Sequence, residues 1–197
     1  MTPITIAITG GIGSGKSVVS KILRCLGFQV FDCDSEAKVL MDGDENIKKE
    51  IASTIDSQSI YLNGAINRKR LAEVVFNSPA KLEILNKIVH GAVRDRIEQW
   101  RRSIDAPVAF VETAILYQSG LNRSVDAEWR IVAPEELRIL RVMRRNNANR
   151  EEVKQRIESQ QFDPSATDVQ PPLTEIVNDD ATPLLPQILE KIYDKSR

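Results

Sequence analysis

A single histidine, two cysteines and almost no net charge narrow what this sequence can be before any motif is sought. Cys25 and Cys33 stand in neither a metal nor a redox spacing. They allow at most one disulfide and do not suggest a stapled secreted scaffold, so both are expected as buried or half-buried thiols. Lysine and arginine number 27 against 28 acidic residues, a net charge of −1. That balance is too weak for a long anionic polymer or an acidic membrane surface, although a local basic patch could still hold a small anion. No stretch approaches the roughly 20 apolar residues of a membrane span. The first apolar run has no basic start and ends at Gly10, so no signal peptide is expected. Together these absences predict a cytoplasmic protein with no nucleic-acid and no membrane partner.

What is present is ordinary globular material: 197 residues, 42% hydrophobic and 28% charged, enough for one compact domain with room for inserted sub-domains. Ile4 to Thr9 is a short β-branched run without a polar face, as in a strand covered on both sides. A glycine-rich turn follows, then Val18, Val19, Ile22, Leu23 and Leu26 at helical spacing, with Gly27 placed to end the helix. Phe28, Val30 and Phe31 make a second strand closed by Asp32 and Asp34. Strand, helix, strand in this order is a βαβ unit, which implies parallel strands. The middle of the chain reads as helical: Glu45 to Ile55, a turn at Asn63-Gly64, a helix capped by Asn67, and another begun by Ser78-Pro79 with a possible interruption at Gly91. It carries no strong strand signal. Further strands are expected at Val108 to Val111, Trp129 to Val132 and Glu175 to Val177. Amphipathic helices are expected through Leu137, Leu140 and Met143, and from Leu184 to Tyr193.

Gly10-Gly11-Ile12-Gly13-Ser14-Gly15-Lys16-Ser17 fits G-x-x-x-x-G-K-[ST], between a buried strand and an amphipathic helix. Glycines let successive amides turn inward at a helix N-terminus and form an anion-binding nest. Lys16 reaches the β- and γ-phosphates and the Ser17 hydroxyl can ligate Mg²⁺. The alternative is a glycine-rich turn with an exposed lysine. With the motif, the expected fold is α/β: a P-loop NTPase-type doubly wound parallel sheet of about five strands, with a helical insert and a helical lid. The expected boundaries are 1–34 and 105–197 for the nucleotide-binding core, about 137–160 for the lid, and 35–104 for the insert. No N-K-x-D run supports a GTPase, and the chain is short for a motor or transporter ATPase. A small-molecule kinase suits the size.

Asp32 and Asp34, two apart in an extended segment, would point the same way, and a carboxylate there could accept a hydroxyl proton during phosphoryl transfer. The other reading is a helix cap by Asp34 or Ser35 with a solvated Asp32. Arg138, Arg141 and Arg145 share a helix face and suit either a transition-state lid or a solvated basic face. His90 alone reads as a packing residue, and Trp100 and Trp129 as core.

Taken together, these residues resemble the dephospho-coenzyme A kinases, which use ATP to phosphorylate the ribose 3′-hydroxyl of dephospho-CoA. The run Ile6 to Ser17 looks like that family's phosphate loop, and Phe31-Asp32-Cys33-Asp34 its D-x-D element. Asn63 to Arg68 with Arg70-Leu71 and Val75-Phe76, Ile88-Val89-His90, and Leu140-Arg141-Val142-Met143 with Arg145 match further segments. The resemblance implies ATP and Mg²⁺ as cofactors and dephospho-CoA as the small-molecule partner. It makes Asp34 the base, and Lys16, Arg141 and Arg145 its catalytic companions. Gly11, Ile12, Gly13, Ser14, Gly15, Lys16 and Ser17 would bind nucleotide, with Ser17 on the metal. Thr9, Asp32, Arg68 and His90 would bind substrate. Departures are Gly91 for a proline, Gln118 for an acid, Asn146 for an aspartate, and Val177 to Ala181 for an I-x-N-x-G element.

Overall fold

The structure is a computed structural model that describes residues 2–55, 60–62, 64–160 and 167–194. The chain divides into two compact units, Met1–Phe31 with Ile104–Arg197, and Asp32–Ser103.

The first unit holds a five-stranded sheet in the order β2-β5-β1-β6-β7. Its strands are β1 (Ile4–Thr9), β2 (Gln29–Asp32), β5 (Val108–Glu112), β6 (Ala127–Val132) and β7 (Leu173–Val177). β1 pairs in parallel with β5 and β6, and β6 with β7. The chain leaves β1 toward β2 and β5 on one side and later fills the other side with β6 and β7. β1 is therefore the switch point, and its carboxyl end opens into the crevice where ligands of such sheets sit. Helix α1 (Lys16–Cys25) ends in a Schellman pattern, with the Phe28 amide donating to Leu23 O and the Gly27 amide to Arg24 O. Val19 and Leu23 of α1 and Ile188 of α8 (Leu184–Asp194) pack on Ile6, Ile8, Phe110, Trp129 and Ile131. Cys25 is exposed rather than buried; it lies off the face of α1 that carries Val19, Ser20 and Leu23.

Two further helices of this unit, α6 (Glu135–Asn146) and α7 (Arg150–Ser159), form a hairpin. Ile139, Val142, Val153 and Ile157 make its core, with Ile12 packed against them. The buried stripe of α6 is therefore Ile139 and Val142, whereas Leu140, expected on the apolar face, is half exposed. Helix α7 starts with a capping box between Asn149 and Glu152.

The second unit is mostly helical: α2 (Cys33–Gly43), α3 (Glu45–Thr54), α4 (Arg68–Phe76) and α5 (Pro79–Ser103). Ile47, Ile51, Ile55, Ile60, Ile66, Leu71 and Val75 form its core, with Leu85, Ile88 and Val89 of α5 against them. The Asn67 side chain accepts the Arg70 amide as the cap of α4. α5 runs unbroken through Gly91 for 25 residues, because its apolar contacts continue on both sides of the glycine. The unit also contains a small antiparallel hairpin, β3 (Tyr61–Leu62) with β4 (Ala65–Ile66), where no strand was expected. Asn63, half of the expected turn, lies outside the described residues.

The helix α2 overturns the extended reading of Asp32 and Asp34. Asp32 ends β2 and caps α2, accepting the Ser35 amide at 3.1 Å and the Ser35 hydroxyl at 2.8 Å. Asp34 is an exposed residue of the first helical turn. A carboxylate at the N-cap satisfies amides the helix itself cannot, and that gain outweighs one more residue of strand.

Candidate active site

The phosphate loop leaves β1 at Thr9, a buried residue in register with Arg130 of β6. Its path is fixed by close approach of backbone to backbone. A Cβ on Gly13, at φ 79°, would stand 2.5 Å from Arg138 O, and one on Gly10, at φ 142°, 2.4 Å from Ile131 O. Neither neighbour can yield, since both are main-chain atoms of regular elements. α1 then begins with Gly15 at its N-cap, a residue with no side chain to cover the first amides, so the positive end of the helix stays open to an anion. The Lys16 ammonium folds back and donates to Gly10 O at 2.7 Å and Gly11 O at 3.5 Å, drawing the loop into a ring.

Several side chains outside the motif brace that ring. Asn178, buried at the end of β7, donates to Ser14 O at 2.7 Å. Gln160 accepts the Ile12 amide at 2.7 Å, and Arg138 Nε donates to Ile12 O at 3.0 Å. Arg141 donates to Gly13 O at 3.3 Å and Asn178 O at 3.1 Å, and also pairs with Asp180. Burial pushes the Arg138 guanidinium down from its ordinary value, while nearby Glu135 raises it. The Ser14 hydroxyl is buried without a partner among the described residues. Beside the loop lies a cavity of about 300 Å³, bordered by Thr9, Gly10, Gly11, Tyr117, Arg130 and Arg138 among others.

A glycine-lined ring on an uncovered helix N-terminus, with a lysine inside reach, is a cradle for a polyphosphate. The sequence profile described as Dephospho-CoA kinase matches this chain over residues 4–169. The chain belongs to the dephospho-CoA kinase family. It is 43% identical over 162 residues to a dephospho-CoA kinase of Porphyromonas gingivalis, covering 82% of this chain and 80% of that one. A crystal structure from Thermus thermophilus superposes with a TM-score of 0.77 at 30% identity, covering 99% and 98% of the two chains. The dephospho-CoA kinase of Campylobacter jejuni gives 0.70 at 25% identity over 98% of each.

Within this kinase, Thr9, the loop from Gly10 to Ser17 and Arg141 come together in the first unit, whereas Asp32, Asp34, Arg68 and His90 belong to the second. The exposed Arg145 turns to Asn146 Oδ1 and not to the loop. Arg68 pairs at the surface with Asp42 at 2.6 Å. His90 is half-buried on α5, and burial followed by the Arg94 charge lowers its pKa. Arg130, Gln160 and the bracing role of Asn178 were not foreseen. Only the asparagine had a visible signal, as the polar residue ending the last strand.

Proposed function

We propose that this kinase transfers the terminal phosphoryl group of ATP to the ribose 3′-hydroxyl of dephospho-CoA in the cytoplasm. The cradle from Gly10 to Ser17 carries the reading, because its uncovered helix start and Lys16 form a seat for a triphosphate and family membership supplies the acceptor. Lys16 and the loop amides of Gly11 to Ser17 hold the phosphates, the Ile12 amide exchanging Gln160 Oε1 for phosphate oxygen. The exposed Ser17 hydroxyl, a hard oxygen donor on the first turn of α1, suits Mg²⁺, which takes few protein ligands and completes its shell with phosphate and water. When bound, the ion neutralises charge on the β- and γ-oxygens.

Asp34 accepts the proton of the attacking hydroxyl, and Asp32, as the cap of α2, sets the start of the helix that carries it. Arg141 and Arg145 on α6 stabilise the transferring charge, Arg141 exchanging Asp180 for phosphate oxygen. The hairpin of α6 and α7 serves as the lid. The second unit is the acceptor-binding insert, with Arg68 and His90 on the CoA portion, and Thr9 stands on the acceptor side of the loop.

Purified protein with Mg·ATP should release ADP far faster with dephospho-CoA than with adenosine, nucleoside monophosphates or sugars. Equal rates would remove the acceptor assignment. Asp34→Asn should lower kcat by about 10²- to 10⁴-fold while ATP binding persists. Full activity in that variant would remove Asp34 as the base.

A further inference from the structure

The sheet face that carries Thr9 also holds a charge pair that the phosphate loop does not use. Glu128 on β6 is completely buried, yet both its carboxylate oxygens are engaged: Oε1 accepts from Arg130 Nε at 2.9 Å and Oε2 from the Tyr117 hydroxyl at 2.5 Å. A lone buried carboxylate would be prohibitive, so these two bonds are the condition for its presence. They also immobilise both partners. Arg130 spends one of its five N–H donors on Glu128 and lies beside the Tyr117 oxygen, which leaves donors over. Arg130 and Tyr117 both border the cavity of about 300 Å³ that Gly10 and Gly11 open into.

We propose that Arg130, aimed by Glu128 and Tyr117, binds a phosphate oxygen of substrate in that cavity. The inference rests on the kinase reading above, in which both substrates bring such oxygens, ATP in its γ-phosphate and dephospho-CoA in its diphosphate. The planar guanidinium fork suits either, and its orientation is set before the substrate arrives. Arg138 and Glu135 border the same cavity with opposite charges, so the direction of the Arg130 donors matters more there than bulk positive charge.

Arg130→Met alone would strand a buried carboxylate, and unfolding could hide its effect. The informative variant is Glu128→Gln/Arg130→Met, which buries no unpaired charge, accompanied by Arg130→Lys, which keeps a cation on Glu128 but removes the fork. For each, calorimetric affinity for a non-hydrolysable ATP analogue, kcat, and KM for ATP and dephospho-CoA are measured on protein shown to be folded by thermal melting. The paired variant is expected to lose about 10- to 100-fold in kcat/KM. A loss in analogue affinity and in KM for ATP assigns the oxygen to ATP. A loss confined to KM for dephospho-CoA assigns it to the acceptor. Arg130→Lys should fall between the paired variant and wild type. Folded variants with both KM values, kcat and analogue affinity unchanged would overturn the proposal and leave the pair as a structural clamp. Should wild type fail to phosphorylate dephospho-CoA, the acceptor reading falls, and the analogue affinities alone decide Arg130, an unchanged value overturning it.

Discussion

The two faces of the central sheet share strands β1 and β6 but are made of opposite materials. On one, Ile6 and Ile8 stand in register with Ala127 and Trp129, Ile131 continues the row, and α1 and α8 close over them. On the other, small buried Ala7, Ala109 and Val111 make room for Thr5, Thr9, Glu128 and Arg130, met by Tyr117 from the segment between β5 and β6. Successive residues of a strand point to opposite sides, so each strand supplies both faces. The apolar face is held by burial, which is non-directional and fills space. The polar face is held by partners at fixed angles, and that directional packing goes with the cavity beside the phosphate loop. One face supplies stability and the other presents chemistry.

The sharpest separation should come from Trp129. It is fully buried, its ring lies 5.1 Å from Phe110, and its indole N–H has no partner among the described residues. Trp129→Ala should cost about 3–5 kcal/mol in denaturant unfolding. Trp129→Phe should cost far less, since no hydrogen bond is lost. The surviving folded protein should keep its KM for ATP; a changed KM would show that the apolar face also shapes the site. A smaller effect is expected at Asn178, whose side chain gives Ser14 O its 2.7 Å donor and Arg141 one acceptor, Oδ1. Asn178→Ala should destabilise by about 1–3 kcal/mol and weaken ATP binding. Loss of stability alone would make Asn178 a strand-end clamp with no part in shaping the loop.

What was legible in the sequence follows the same division. The phosphate loop was readable because eight contiguous residues state its backbone demands, and the strands because β-branched runs mark burial. The start of α2 was readable only as one of two alternatives, and its cap was assigned to Asp34 or Ser35 where Asp32 serves. Asp32 and Asp34 look like a strand exit, and the stretch that follows, with Asp34, Glu36, Lys38 and Asp42, offers only a weak apolar stripe. The polar face was invisible for a different reason. β6 was expected to start at Trp129, which left Glu128 outside the sheet, whereas the strand begins at Ala127. Glu128, Arg130 and Tyr117 meet only through a strand pairing and a returning loop, and no local spacing encodes that. The family resemblance supplied the acceptor, which composition and periodicity could not.

The gentlest way to probe the polar face is through the proton on Tyr117. Burial, and then its bond to Glu128, push the phenol from 10.0 up to about 12. The folded chain therefore holds this proton more tightly than the unfolded chain does. Its contribution to stability is fully present below pH 10, the unfolded value, and is lost as pH rises from there toward about 12. Unfolding midpoints in urea, followed upward from pH 9, should fall more steeply in wild type than in Tyr117→Phe, which has no phenol to titrate. Tyrosinate absorbance should report the same group directly, as an ionisation at about pH 12 that Tyr117→Phe lacks. A Tyr117 that ionises at the ordinary value would mean that its hydroxyl is not held by Glu128, and the distinction between the two faces would lose its clearest electrostatic sign.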